Sequence, residues 1–196
     1  MMEKLAALDR ELFLYFNNLG SERWDWLWVA LSDKWMAIPF YAVLLYLLFK
    51  KLGWRSTLIT MLVVALLITA TDQLANFFKH TFERPRPCRQ EGVMEFARFV
   101  AERCGRYGFF SAHSANSMGV AVFLSLIFKS FYRNLYLILI FWAILVSYSR
   151  IYLGVHYPGD VLTGWFFGVI LGFLFYQLWL KIYEKLRKAK ENSGKA

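Results

Sequence analysis

Charged residues are scarce in this chain: Asp, Glu, Lys and Arg make up 19% of its 196 residues, against roughly 25% in soluble proteins. Three histidines without a dense group of carboxylates disfavour a two-metal site, so we expect neither a metal nor a cofactor. The G-x-x-x-x-G-K-S/T and G-x-G-x-x-G patterns are absent, which gives nucleotide binding no support.

Hydrophobic residues, by contrast, are abundant. They form 58% of the chain, which has a mean hydropathy of +0.38 and includes 19 Phe, 11 Tyr and 8 Trp. A soluble core of this size would struggle to bury so many large side chains, whereas a bilayer would accommodate them. We therefore prefer a single membrane domain to the alternative, a large soluble all-helical core.

Uncharged runs recur along the chain with nearly the length of a membrane span, about 17–25 residues. They cover 35–49, 56–71, 107–128, 134–149 and 161–180, and the second reaches full length if it continues to residue 78. The pattern predicts an all-α, polytopic membrane bundle of about five transmembrane helices over residues 34–182. On the last span, small residues recur every fourth position, which allows close packing on another span or a dimer face. These residues are Gly164, Gly168 and Gly172.

Residues 1–33 precede the first span and do not form a cleavable signal, because acidic residues interrupt them. Leucines and a phenylalanine recur there at helical spacing, and three tryptophans follow. The sequence supports two interpretations equally: an amphipathic helix at the membrane surface, or a short helix packed against the bundle. The residues concerned are Leu5, Leu8, Leu12, Phe16, Leu19, Trp24, Trp26 and Trp28.

The net charge of +9 does not indicate nucleic acid, because basic residues concentrate in segments that fall on one side of a five-span chain. These are 50–55, 129–133 and the basic tail, 183–196. Cytoplasmic loops are enriched in Lys and Arg, so residues 79–110 are predicted to form an outward loop, facing the periplasm. Both cysteines lie there, and Cys88 and Cys104 either form a disulfide or remain free thiols.

Polar residues collect at the predicted outer ends of the spans. Asp72, Asn76 and Lys79 share one face of span two, and arginines, histidines, a serine and an aspartate follow near the other outer ends. Each has an ordinary structural explanation by itself. Together, on one membrane face, they indicate a site that binds an anion and transfers protons.

Three spacings stand out among these residues. Lys79 is followed after six residues by Arg86-Pro87; Phe110-Ser111-Ala112-His113 follows; and Ser149-Arg150 precedes His156 by five residues, with Asp160 three residues further on. This set resembles the three motifs of the type 2 phosphatidic acid phosphatase superfamily and spans about residues 54–182. The second motif is usually Pro-Ser-Gly-His, so Phe110 and Ala112 are departures. Alanine keeps the backbone N–H that would bind a phosphate oxygen. The two departures therefore bear on substrate preference more than on activity.

The resemblance implies a role for each matching residue. His156 would attack phosphorus and form a phosphohistidine, Asp160 would orient its ring, and His113 would serve as general acid and then base. The phosphate-binding set would be Lys79, Arg86, Ser111, Ala112 and Arg150. Our own inference concerns Asp72, which either supports Lys79 with Asn76 between them or makes a structural hydrogen bond between spans.

The resemblance thus implies an integral membrane hydrolase of phosphoric esters or anhydrides that needs no metal. Its expected substrate is undecaprenyl diphosphate or a phosphate group of lipid A, in the bacterial inner membrane with the site facing the periplasm. The alternatives are a phosphatidylglycerol phosphate or phosphatidate phosphatase, a vanadium haloperoxidase, and a non-enzymatic lipid-binding or transport protein. Two histidines with Asp160 disfavour the last, because binding alone needs no nucleophile.

Overall fold

A computed structural model describes residues 2–33 and 35–193 of the chain. Residues 1, 34 and 194–196 lie outside the described residues, and with them the predicted boundary at residue 34 and Lys195 of the basic tail. Over the described ranges the secondary structure is helical, with no strand longer than an isolated Pro85–Tyr107 bridge. The α-helices are α1 (Met2–Asn18), α2 (Glu22–Ser32), α3 (Ile38–Phe82), α4 (Ala112–Phe128), α5 (Leu135–Tyr152) and α6 (Pro158–Ser193).

Helix α3 carries the first two predicted spans on two arms that meet at Gly53. This residue has φ 74° and ψ 171°, a conformation that glycine adopts without the strain of a Cβ, and it separates residues 38–52 from 54–82. Helices α3, α5 and α6 are each long and apolar enough to cross a membrane, and α4 is a shorter apolar helix. The predicted all-α membrane bundle is therefore confirmed.

Helix α4 begins directly after the predicted outward loop, 79–110. Ser111 caps the helix and Ala112 is its first residue, while the uncharged run begins earlier, at residue 107, in the segment where Tyr107 pairs with Pro85. The basic tail is not separated from the bundle by a break, since α6 continues to Ser193.

Helix α4 lies at the centre of the bundle, packed on α6, α5 and α3. The glycine stripe of α6 (Gly164, Gly168 and Gly172) faces it so closely that an added Cβ would lie 2.5–2.7 Å from backbone oxygens of the α4 segment. Of the two uses predicted for these glycines, packing within the chain is therefore the one observed.

The amino-terminal helices pack on the end of the bundle that carries the 79–110 loop. Phe13 of α1 is fully buried, and the amide of Asn17 donates to the backbone oxygens of Arg98, Ile151 and Tyr152 at 2.9–3.1 Å. The opposite face of α1 exposes leucines, and α2 exposes tryptophans. Packing against the bundle is thus the contact that the structure records, and contact of the exposed face with a membrane surface stays a prediction. The exposed residues are Leu5, Leu8, Leu12, Leu19, Trp24 and Trp26.

Replacing Gly168 by alanine will destabilise the bundle, because the new methyl group would lie 2.6 Å from the backbone oxygen of Ala115. Overpacking of this kind costs about 1–3 kcal/mol, so the thermal unfolding midpoint of the detergent-purified variant should fall by several degrees. Val169→Ala, on the exposed side of the same helix, is the matched control. Equal midpoints for Gly168→Ala and the wild type would contradict the close contact.

Candidate active site

A cavity of about 980 Å³ opens between α2, α3, α4 and α5. Its outer end is cationic and polar, and its deeper walls are apolar, with Leu44, Leu48, Val120 and Leu124 among them. The polar end contains Lys79, Arg86, Ala112, His113, Arg150 and His156. Six of the residues predicted from the motifs therefore line one cavity, and the rest of that cavity is lined mainly by apolar side chains.

His156 lies at the polar end, in the turn between α5 and α6. Its Nδ1 is 3.3 Å from Oδ2 of Asp160, and both side chains are almost completely buried. Oδ2 also accepts from the backbone N–H of Tyr157 at 3.0 Å. When Nδ1 carries the proton, Nε2 keeps its lone pair for a reacting atom.

The charge state of His156 suits a nucleophile. Burial, and then the positive charges of Arg86, Arg150 and Lys79, lower the pKa of its imidazole well below the usual value. The ring is therefore neutral at pH 7. A neutral imidazole has the free electron pair that attack on phosphorus requires.

The amino terminus of α4 meets the same space. Ala112 and His113 line the cavity in its first turn, where free backbone N–H groups and the helix dipole favour an anion. Ser111 directly precedes this turn. It is fully buried, and its Oγ accepts from the N–H of Ser114 as the cap of α4, while the cavity wall begins at the next residue. A direct contact of Ser111 with phosphate stays a prediction.

Three cations come to the cavity from separate elements. Lys79 lies in the last turn of α3, Arg86 is held by a bond from Nε to the backbone oxygen of Tyr107 at 3.0 Å, and Arg150 projects from α5. Nη1 of Arg150 donates to Oγ of Ser32 on α2. Its buried Nε has no hydrogen-bond partner in the described part of the chain, so this guanidinium keeps a donor for an anion.

The outward loop is closed at its base, which fixes Arg86. Besides the Pro85–Tyr107 bridge, Gly108 donates its N–H to the backbone oxygen of Arg84 at 2.9 Å. Within the loop, Cys88 and Cys104 are joined in a disulfide. The predicted cysteine pair therefore borders the segment that holds a phosphate-binding candidate.

Asp72 bonds to a neighbouring helix. Its Oδ1 accepts from Nδ2 of Asn116 on α4 at 2.8 Å, and Oδ1 of Asn116 in turn accepts from Thr71. Asp72 and Asn76 also line the cavity with Lys79. The hydrogen bond between spans is thus the contact that the structure records, and support of Lys79 stays a prediction.

The comparisons with known proteins agree with this geometry. Residues 57–184 match the sequence model of the PAP2 superfamily. The chain belongs to the PAP2 superfamily.

Relatives and a solved structure extend the match beyond the motifs. The chain is 36% identical over 198 residues to a lipid A 4'-phosphatase of Bacteroides thetaiotaomicron, covering 100% of this chain and 87% of the relative. It is 34% identical over 183 residues to a lipid A 4'-phosphatase of Porphyromonas gingivalis, covering 91% and 76%. The crystal structure of a transmembrane PAP2-type phosphatidylglycerolphosphate phosphatase from Bacillus subtilis shares the fold, with a TM-score of 0.69 and 22% identity over 91% of this chain and 88% of that one.

As a PAP2 protein, the chain is a multi-pass membrane lipid phosphatase, a hydrolase of phosphoesters. The described residues contain no group of three His, Cys, Asp or Glu side chains suited to a metal ion.

Three side chains near the PAP2 motif residues received no individual role in the sequence analysis. Arg84 bonds to Asp160, Asp9 bonds to Arg84, and Ser32 bonds to Arg150. Arg84 had a signal in the sequence, because it opens the run Arg84-Pro85-Arg86-Pro87. Asp9 and Ser32 gave none, because they are far from their partners in sequence.

Removing the disulfide by Cys88→Ser with Cys104→Ser should loosen the loop that holds Arg86. A crosslink over this sequence separation of 16 contributes about 3 kcal/mol in the chain-entropy model. We expect a lower unfolding midpoint and a KM for lipid phosphate that rises more than kcat falls. Reductant should reproduce both effects in the wild type and add nothing to the double variant. Unreduced peptide mass spectrometry that finds two free thiols would contradict the linkage.

Proposed function

We propose that this PAP2 phosphatase removes a phosphate group from lipid A at the periplasmic face of the bacterial inner membrane, through a phosphohistidine on His156. The observation that carries the proposal is the pairing of His156 with Asp160 at the cationic end of a cavity whose other end is apolar. Such a cavity suits an amphiphile with a phosphate at its polar end. Undecaprenyl diphosphate has the same general chemistry and is the second candidate.

The cationic end would first bind the phosphate group. Lys79, Arg86 and Arg150 would hold its non-bridging oxygens, and the amide of Ala112 would add a neutral donor at the helix terminus. Phosphoryl transfer depends mainly on positioning and on stabilising charge. A buried set of preorganised donors supplies both.

Two displacement steps would follow. In the first, Nε2 of His156 bonds to phosphorus while the bond to the lipid oxygen breaks, and His113 protonates that oxygen. In the second, His113 takes a proton from water, whose oxygen bonds to phosphorus as the bond to Nε2 breaks. Phosphate leaves and His156 is free again. Asp160 would stabilise the positive charge on the ring in both steps.

Lipid A is favoured over other lipid phosphates by the two relatives named as lipid A 4'-phosphatases, because their similarity extends over nearly the whole chain. The orientation is supported by the basic residues between spans and by the disulfide in the outward loop, since disulfides persist in oxidising compartments.

The first test is phosphate release by detergent-purified protein in EDTA, supplied with lipid A, undecaprenyl diphosphate, phosphatidylglycerol phosphate and phosphatidate. Wild type should release phosphate fastest from lipid A, and His156→Ala should lose turnover while vanadate still binds it. His80→Ala, a histidine outside the motifs, is the matched control and should stay active. Faster phosphate release from another lipid would contradict lipid A as the substrate and would identify that lipid in its place. Full activity in His156→Ala would overturn the mechanism.

Trapping the covalent intermediate tests the same step directly. Denaturing the wild type during turnover of phosphate-labelled lipid should leave label on His156 that is lost in acid and stable in alkali, as expected of a phosphoramidate. Because water attack also needs His113, His113→Ala should lower the rates of label formation and label loss together. Label on any other residue would contradict the assignment.

A further inference from the structure

Besides His156, Asp160 bonds to a side chain that is not one of the PAP2 motif residues. Its Oδ1 accepts from Nη1 of Arg84 at 2.9 Å, and Nη2 of Arg84 donates to Oδ2 of Asp9 at 2.6 Å. Asp9 lies on α1. A single guanidinium therefore joins the carboxylate beside His156 to the amino-terminal helix.

Asp9 also holds the start of the helix that carries Asp160. Its Oδ1 accepts from the backbone N–H of Gly159 at 2.7 Å, in the first turn of α6. The contact is so close that a Cβ at position 159 would lie 2.7 Å from Oδ2 of Asp9. Asp9 thus caps α6 from another helix, because an aspartate satisfies a free N–H at a helix start as a local cap residue does.

Arg84 does not belong to the phosphate-binding set. It is not part of the cavity wall formed by Lys79, Arg86 and Arg150, and its guanidinium lies over the ring of Tyr157, 4.3 Å from the centroid. Burial lowers the pKa of Arg84, but the carboxylates of Asp160 and Asp9 outweigh burial and raise it overall. Both of its charge partners are thus carboxylates of the protein.

The two oxygens of Asp160 are fixed by different groups. Oδ1 is held by Arg84, and Oδ2 by the N–H of Tyr157, next to Nδ1 of His156. With Arg84 removed, the fully buried carboxylate loses its bond to a guanidinium and can rotate away from the imidazole. A misplacement of about 1 Å can cost about 100-fold in rate.

We propose that Asp9 and Arg84 are positioning residues that hold the Asp160 carboxylate against His156, so that α1 takes part in catalysis. The proposal rests on the phosphohistidine mechanism above. It assigns the effect to the two chemical steps at His156, and none to binding of the phosphate group.

The test is steady-state kinetics of Arg84→Gln and Asp9→Asn on the lipid that the wild type prefers. The asparagine keeps an oxygen for the N–H of Gly159 and loses only the charge toward Arg84. We expect kcat to fall about 10- to 100-fold, with KM and the inhibition constant for vanadate within twofold of the wild type. Arg84→Lys, which can pair with one carboxylate, should recover part of kcat. Phosphohistidine labelling should slow in proportion to kcat.

Matched controls separate positioning from general effects. Glu11→Gln on α1 and Arg103→Gln in the outward loop change exposed charges and should leave kcat and KM unaltered.

A lower unfolding midpoint with unchanged kcat in Asp9→Asn and Arg84→Gln would overturn the proposal in favour of a structural role. A raised KM and weaker vanadate inhibition would overturn it in favour of phosphate binding. His156→Ala is measured in parallel. If this variant keeps wild-type turnover, the proposed mechanism is wrong and this inference is wrong with it. If His156→Ala is inactive and Arg84→Gln keeps full kcat, only this inference is wrong.

Discussion

The close contact between α4 and α6 is the constraint on which the site depends. The glycine stripe brings the two backbones together, and at the outer end of that contact the N–H of Ser111 donates to the backbone oxygen of Asp160 at 3.0 Å. Both helices therefore start at the same level, with His113 and Asp160 in their first turns. Apolar side chains gain little by leaving lipid for protein, so backbone packing is what fixes such a register in a membrane. A slip of one turn, about 5.4 Å, would separate His113 from His156, the proposed general acid and nucleophile.

Much of this architecture could be predicted because its signals are short in sequence. Apolar runs define the helices, and the motif containing Arg150, His156 and Asp160 has fixed local spacing. Other features depend on the folded chain. Asp9 meets Gly159 across 150 positions and Ser32 meets Arg150 across 118, and no periodicity within one sequence reveals such pairs. The bend in α3 was equally hidden, because two runs separated by a short basic stretch resemble two helices with a loop between them.

The cavity explains why a membrane protein can keep so many like charges together. Lys79, Arg86 and Arg150 repel one another and are partly removed from water, a costly arrangement that an anion relieves. Within the described part of the chain, the buried Nε of Arg150 has no hydrogen-bond partner. A phosphate bound as proposed above would therefore also stabilise the folded site, since a ligand that binds only the folded state stabilises that state.

The disulfide of the outward loop affects the stage of biosynthesis at which the phosphate-binding end of the cavity is fully formed. Cys88 and Cys104 border the loop that holds Arg86, and their bond forms only where thiols are oxidised. A chain still on the reducing side of the membrane would carry an open loop and a loosely held arginine. In the orientation proposed above, maturation of the phosphate-binding end would thus follow translocation, so that a newly made or misoriented molecule would be restrained from attacking phosphate groups in the cytoplasm.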